Sequence, residues 1–287
     1  MKIIIAAVFL CVFFVAAFAQ VTDDDRKANL PVEPFHIAGN IYYVGAAEVT
    51  SFLVVTPKGN ILIDAGFPET LSQIKANVAK LGFKLSDIKY LLNTQAHFDH
   101  AGPFAELKKL TGAKMVASAG DKVLLENGGK DDFTWGDRLS YEPVTVDRVI
   151  TDGGTVELGG VKLTAILTPG HTKGCTAWSY EMKDGGKKYS VLFLGSTSSP
   201  GYAFYNNKKY PGIIADYEYT FKKLKTLSPD YFFASHGSFF DLLEKAEKLK
   251  SKPAVNPFID PAGYKAFVAD TEKTFQEKLA RERELMK

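Results

Sequence analysis

Asn93-Thr94-Gln95-Ala96-His97-Phe98-Asp99-His100 is the stretch that decides how this chain is read. It sets an amide, two imidazoles and a carboxylate almost side by side. Such groups are costly to bury unless they share a partner. A metal ion satisfies them together, because imidazole nitrogen and carboxylate oxygen are both zinc ligands. The run Ile88-Lys89-Tyr90-Leu91-Leu92-Asn93 leads into the cluster and reads as a strand. The cluster is therefore expected on a loop fixed by that strand.

Working outward, the chain has five histidines: His36, His97, His100, His171 and His236. His171 follows the turn Pro169-Gly170, and His236 lies between the strand-like Tyr231–Ala234 and Gly237. A single histidine at a strand end is ordinarily a hydrogen-bonded structural residue. His97 and His100, flanking Asp99, make a metal the better reading of their group. His36 has no such company and reads as structural or surface.

Short β-branched and aromatic runs predict strands at 41–44, 51–55, 61–64, 88–93, 114–117, 155–158, 161–167, 176–181, 189–194 and 231–234. Leu71, Ile74, Val78 and Leu81 stand at helical spacing, so 70–81 is expected to be a helix that Gly82 stops. Further helices are expected at 103–110, 217–227 and 261–283, with a long loop at 127–143. Strands followed by helices, twice over, predict an α/β protein of two packed sheets with helices outside. No low-complexity linker interrupts 20–287, which is expected to form one domain.

Composition fits an ordinary globular protein of 287 residues, 46% hydrophobic and 24% charged. Net charge is +2, and the C-terminal lysines alternate with glutamates, as in Glu244-Lys245-Ala246-Glu247-Lys248. That pattern is a solvated helix face, and no nucleic-acid partner is expected. Met1-Lys2, the apolar run Ile3–Phe18 and Ala17-Phe18-Ala19 match a secretory signal peptide over residues 1–19. Cleavage after Ala19 would leave a periplasmic or secreted protein with no membrane segment and Cys175 as its one thiol. Cys175 reads as a small buried hydrophobe.

The cluster resembles the His-x-His-x-Asp-His signature of the metallo-β-lactamase superfamily, with Gln95 in place of the first histidine. Asp64-Ala65-Gly66, Pro169-Gly170-His171-Thr172 and Ser235-His236-Gly237 resemble its other landmarks, in order. The resemblance implies an αβ/βα four-layer sandwich with two mixed β-sheets and helices on the outer faces. It implies a first zinc held by Gln95, His97 and His171, and a second held by Asp99, His100 and His236. An amide oxygen is a weaker ligand than imidazole, so the second site is expected to be tighter, with one or two zinc ions per chain.

The end of the strand Val191-Leu192-Phe193-Leu194 carries no Asp, which disfavours the glyoxalase II-type thioesterases and lactonases of that superfamily. Ser196-Thr197-Ser198-Ser199-Pro200-Gly201-Tyr202 instead resembles subclass B3 β-lactamases, and Gln95 resembles the Gln variant of that subclass, the GOB-like group. The resemblance implies a monomeric hydrolase of β-lactam antibiotics that confers resistance, using water activated by zinc. Asp99 would be catalytic as well as a ligand. Ser196 and Ser198 would contact the substrate carboxylate, and Phe133 and Trp135 would form an apolar wall. The alternatives are a lactonase or thioesterase of the same fold, or a non-catalytic zinc-binding member.

Overall fold

The computed structural model describes residues 23–287, so the expected signal peptide lies outside the described residues. A short helix α1 (Asp23–Ala28) precedes a meander of β1 (Phe35–Ala38), β2 (Ile41–Tyr43), β3 (Phe52–Thr56) and β4 (Gly59–Ile63). Helix α2 (Thr70–Lys80) leads to β5 (Ile88–Leu92), then α3 (Phe98–Ala101), α4 (Phe104–Thr111) and β6 (Lys114–Ser118). After α5 (Ala119–Glu126) and a long loop, β7 (Arg148–Ile150) closes a seven-stranded sheet in the order β1 to β7. The meander pairs antiparallel, whereas β4 to β7 pair parallel.

The second sheet has five strands. These are β8 (Thr155–Leu158), β9 (Val161–Leu167), β10 (Thr176–Asp184), β11 (Lys187–Leu194) and β12 (Tyr231–Ala234), in the order β12-β11-β10-β9-β8. All pair antiparallel except β11 and β12. Gly185 and Gly186 turn β10 into β11 with φ of 55° and 81°, the left-handed values a two-residue hairpin turn requires. The remaining helices are α6 (Ile213–Leu224), α7 (Leu242–Lys250) and α8 (Pro261–Leu285).

Alternation along single strands builds the four layers. In β3, Phe52 and Val54 face the second sheet, while Leu53 joins Leu62, Leu91 and Met115 under α2 and α4. In β12, Phe233 packs on Phe52 and Phe193, and Phe232 packs outward on Tyr264 and Phe267 of α8. Strand β4 is covered on both faces, which is why 61–63 reads as a continuous apolar run. The expected αβ/βα arrangement of two mixed sheets is thus the one observed.

Several boundaries differ from expectation. Helix α6 begins at Ile213 rather than residue 217, because Ile213, Tyr217, Thr220, Phe221 and Leu224 form one buried stripe. Helix α5 was not expected, since Gly120 masks its short pattern; the Ser118 hydroxyl caps it by accepting from Asp121 N. The metal-type cluster is not wholly a loop. His97 stands at the N-cap position of α3, so Asp99 and His100 are helical. Among the described residues no helix is long and apolar enough to cross a membrane.

Candidate metal centre

The site forms where the two sheets meet. Thr50 N donates to Ser235 O and the Thr50 hydroxyl to Ala234 O, which ties the end of β12 to the first sheet. Thr176 N donates to Thr94 O, and Trp178 Nε1 to Asn93 O, which ties β10 to the end of β5. Asp64, at the end of β4, holds Thr94 through both carboxylate oxygens, with Thr94 N at 2.7 Å and Thr94 Oγ1 at 2.6 Å. The backbone carrying Gln95 to His100 is therefore pinned from three sides.

Two groups of donors converge there. In the first, His97 Nδ1 lies 3.2 Å from Gln95 Oε1 and 3.1 Å from His171 Nε2. Gln95 Nε2 faces Ser235 Oγ at 3.3 Å, which aims Oε1 at the imidazoles. In the second, His100 Nε2 lies 3.3 Å from His236 Nε2 and 3.2 Å from Asp99 Oδ2. His236 Nε2 and Asp99 Oδ2 are 3.7 Å apart. Asp99, His100 and His236 can close on one ion, their ligand atoms lying within 4.8 Å of one another. All six residues named from the sequence are thus brought together, in the two groups the resemblance implied.

The outward nitrogens of three histidines have acceptors in view. His171 Nδ1 donates to Ser198 O at 2.8 Å, which leaves the Nε2 lone pair free. His97 Nε2 faces Asp132 Oδ2 at 3.5 Å, and His236 Nδ1 faces Glu48 Oε1 at 3.6 Å. Such outer partners orient metal-binding imidazoles.

Electrostatics prepare the same arrangement. Burial, then neighbouring His97, holds His171 well below the usual histidine value. Burial, then His100, brings His236 down to about 4. Both stay neutral, as a ligand must. Burial opposes ionisation of both Asp99 and His100, yet their mutual attraction lowers Asp99 and raises His100. Asp99 thus favours positive charge beside it, the place a metal ion would take.

The donors fit zinc. Imidazole nitrogens and carboxylate oxygen are its ligand types, and tetrahedral bonds of about 2.0 Å place neighbouring ligand atoms roughly 3.3 Å apart. The observed separations of 3.1–3.3 Å between imidazole nitrogens match that spacing. Cys175 stays outside the ligand groups. Its thiol is buried, pushed up to about 12 by that burial, and accepts from the Thr172 hydroxyl at 3.1 Å.

Phe133 and Trp135 meet at Tyr202, with ring centroids 4.9 and 6.5 Å away. Tyr202 also stacks on His171 at 5.7 Å and donates its hydroxyl to His171 O. The sequence quoted Tyr202 only as part of a motif, yet it joins the wall to a candidate ligand. Ser196 is buried and its hydroxyl donates to Ser198 Oγ at 2.8 Å. Ser198, half-buried, is the more open hydroxyl of the pair.

Sequence reasoning missed Asp121. This buried carboxylate accepts from Asn93 Nδ2 at 2.8 Å and Gly174 N at 3.0 Å, joining the loops of the first group. Gly174 is required there, because a Cβ would stand 2.1 Å from Asp121 N.

Known proteins match this architecture. The Metallo-beta-lactamase superfamily profile matches residues 44–236. Native FEZ-1 metallo-beta-lactamase from Legionella gormanii is 43% identical with a TM-score of 0.86, covering 89% of this chain and 98% of that chain. GOB-18 metallo-beta-lactamase from Elizabethkingia meningoseptica is 40% identical with a TM-score of 0.86, covering 93% and 99%. BJP-1, a subclass B3 metallo-beta-lactamase of Bradyrhizobium japonicum, is 38% identical with a TM-score of 0.86, covering 91% and 99%. Among curated proteins, a hydroxyacylglutathione hydrolase of Rhodospirillum rubrum is 28% identical over 130 residues, 45% of this chain and 40% of its own length. The chain thus matches less than half the length of that relative. With the matched span running through both donor groups, the chain belongs to the metallo-beta-lactamase superfamily, and its structural neighbours include subclass B3 enzymes.

Proposed function

We propose that this chain is a zinc-dependent β-lactamase, exported from the cytoplasm, that protects its cell against β-lactam antibiotics. The observation that carries the reading is the convergence of Gln95, His97 and His171 beside Asp99, His100 and His236. Likeness over nine-tenths of the chain to lactamase structures supports this substrate class over the thioester named by relatives that match 45% of it.

Gln95, His97 and His171 would hold one zinc, and Asp99, His100 and His236 a second. When bound there, zinc supplies Lewis acidity and a water of lowered pKa. The chain's own residues do the rest. Asp99 and His236 form the open edge of the second group, their side chains 20% and 21% exposed. Asp99 is placed to accept a hydrogen bond from the attacking water. Phe133 and Trp135 bury the apolar side of the antibiotic and exclude solvent. The Ser198 hydroxyl reaches the substrate carboxylate, with Ser196 orienting it. Attack of the water oxygen on the lactam carbonyl breaks the C–N bond, and the nitrogen takes up the proton that the water gives up.

The purified protein should hydrolyse a chromogenic cephalosporin, lose that activity to a chelator and regain it with zinc. A hydroxyacylglutathione thioester run in parallel should turn over far more slowly. Absence of chelator-sensitive cephalosporin hydrolysis would sink the lactamase reading. Turnover of the thioester alone would establish the alternative.

Gln95→His should raise first-site zinc affinity about tenfold, since imidazole replaces a neutral amide oxygen (~1.4 kcal/mol). Competition with a chromophoric chelator measures it. No gain would remove Gln95 from the ligand set.

A further inference from the structure

His97 turns Nδ1 toward Gln95 and His171, so Nδ1 is the atom it offers to a metal. Its ring proton then resides on Nε2. That atom is buried and without a hydrogen-bond partner. Facing it at 3.5 Å is Asp132 Oδ2, which is buried and equally without a partner. A buried donor and a buried acceptor rarely stay unpaired, and a small ring tilt brings these two into range.

The other oxygen of Asp132 has a separate task. Oδ1 accepts from Thr134 N and Trp135 N, each at 2.7 Å. Backbone bonds between Asp132 and Gly136 run both ways, at 3.2 and 3.1 Å, and close the turn. That turn carries Phe133 and Trp135.

We propose that Asp132 is a positioning residue for the first metal site. It takes the Nε2 proton of His97, fixes the tautomer that frees Nδ1, and ties that imidazole to the aromatic turn over the site. The inference rests on the reading of Gln95, His97 and His171 as metal ligands. One carboxylate then sets both the aim of a ligand and the place of the wall.

Asp132→Asn separates the two tasks. The amide keeps an oxygen for Thr134 N and Trp135 N, but sets an NH2 against His97 Nε2–H, donor against donor. The test is cobalt titration of the full chain, followed by visible absorption and by NMR of the hyperfine-shifted exchangeable imidazole N–H signals. First-site affinity should fall about 10- to 100-fold while the second site is unchanged. One exchangeable N–H signal should move or vanish. Native first-site affinity with native N–H signals in Asp132→Asn would overturn the proposal. So would equal weakening of both sites in step with a lower urea midpoint, which marks a purely structural role. A native protein that takes up no cobalt would overturn the two-site reading itself; native uptake with an indifferent Asp132→Asn overturns only the role of Asp132.

Discussion

His100→Ala is expected to empty the second metal site at stoichiometric zinc and to remove nearly all hydrolytic activity. His100 is fully buried and faces both Asp99 and His236, so no water or neighbouring side chain stands ready to replace it. Zinc held by a full ligand set is bound by roughly 10–16 kcal/mol. Losing one ligand of three should weaken this site by about a thousandfold or more (~4 kcal/mol). Asp99 would also lose the partner that holds its pKa down, leaving a carboxylate less ready to take a cation. The measurements are metal content after gel filtration, cephalosporin turnover, and a circular dichroism spectrum to confirm the fold. Full zinc and full activity in the folded variant would refute the assignment. His236→Ala should behave in the same way.

Asp64→Ala is the substitution expected to cost most stability. The residue is 1% exposed, and its backbone lies at φ 55°, a left-handed conformation that Asp and Asn tolerate better than Ala. Alanine would strand Thr94 N and the Thr94 hydroxyl, each at about 1–3 kcal/mol. Backbone strain adds roughly 1–2 kcal/mol. The sum, roughly 3–8 kcal/mol, is a large part of the ~5–15 kcal/mol that holds a domain together. Burial pushes the Asp64 carboxyl up to about 6, partly offset by His100 and by the Thr94 bonds, so the charge itself is not what stabilises. Asp64→Asn should therefore lose much less, since its amide can bond Thr94 and accepts the same backbone. Urea unfolding of the chelated proteins decides. Stability of Asp64→Ala within ~1 kcal/mol of native would show that Asp64 does not pin Thr94.

The metal cluster was legible because its chemistry is local. Gln95, His97, Asp99 and His100 announce one another, and His171 and His236 stand at strand ends that period and turn signals mark. The sheets were legible where aromatic and apolar residues run unbroken, as in β12. Asp121 and Asp132 were not legible. Each acts on a partner far away in sequence, Asn93 and Gly174 for one, His97 for the other; Asp121 sits in a helix whose pattern Gly120 masks, and Asp132 in an irregular turn. Tyr202 and the inward turn of Ser196 were hidden for the same reason: ring stacking and burial belong to the assembled loops. The edge strands β1 and β7 escaped because each is partly exposed and carries a polar residue, His36 in one and Arg148 in the other. The expected signal peptide and the placement outside the cytoplasm remain part of the proposed function.

Each donor group draws on both sheets. Gln95 and His97 follow β5 but need His171 from beyond β9, and Asp99 and His100 need His236 from beyond β12. A chain that ends before His171 offers only part of either set, and one that ends before His236 can complete the first set but not the second. The second group can close only after the last strand has docked. The binding free energy then falls on the seam, where it acts as a bolt between sheets that also share a hydrophobic core. Without metal, the seam loops are expected to open before the core that the two sheets share.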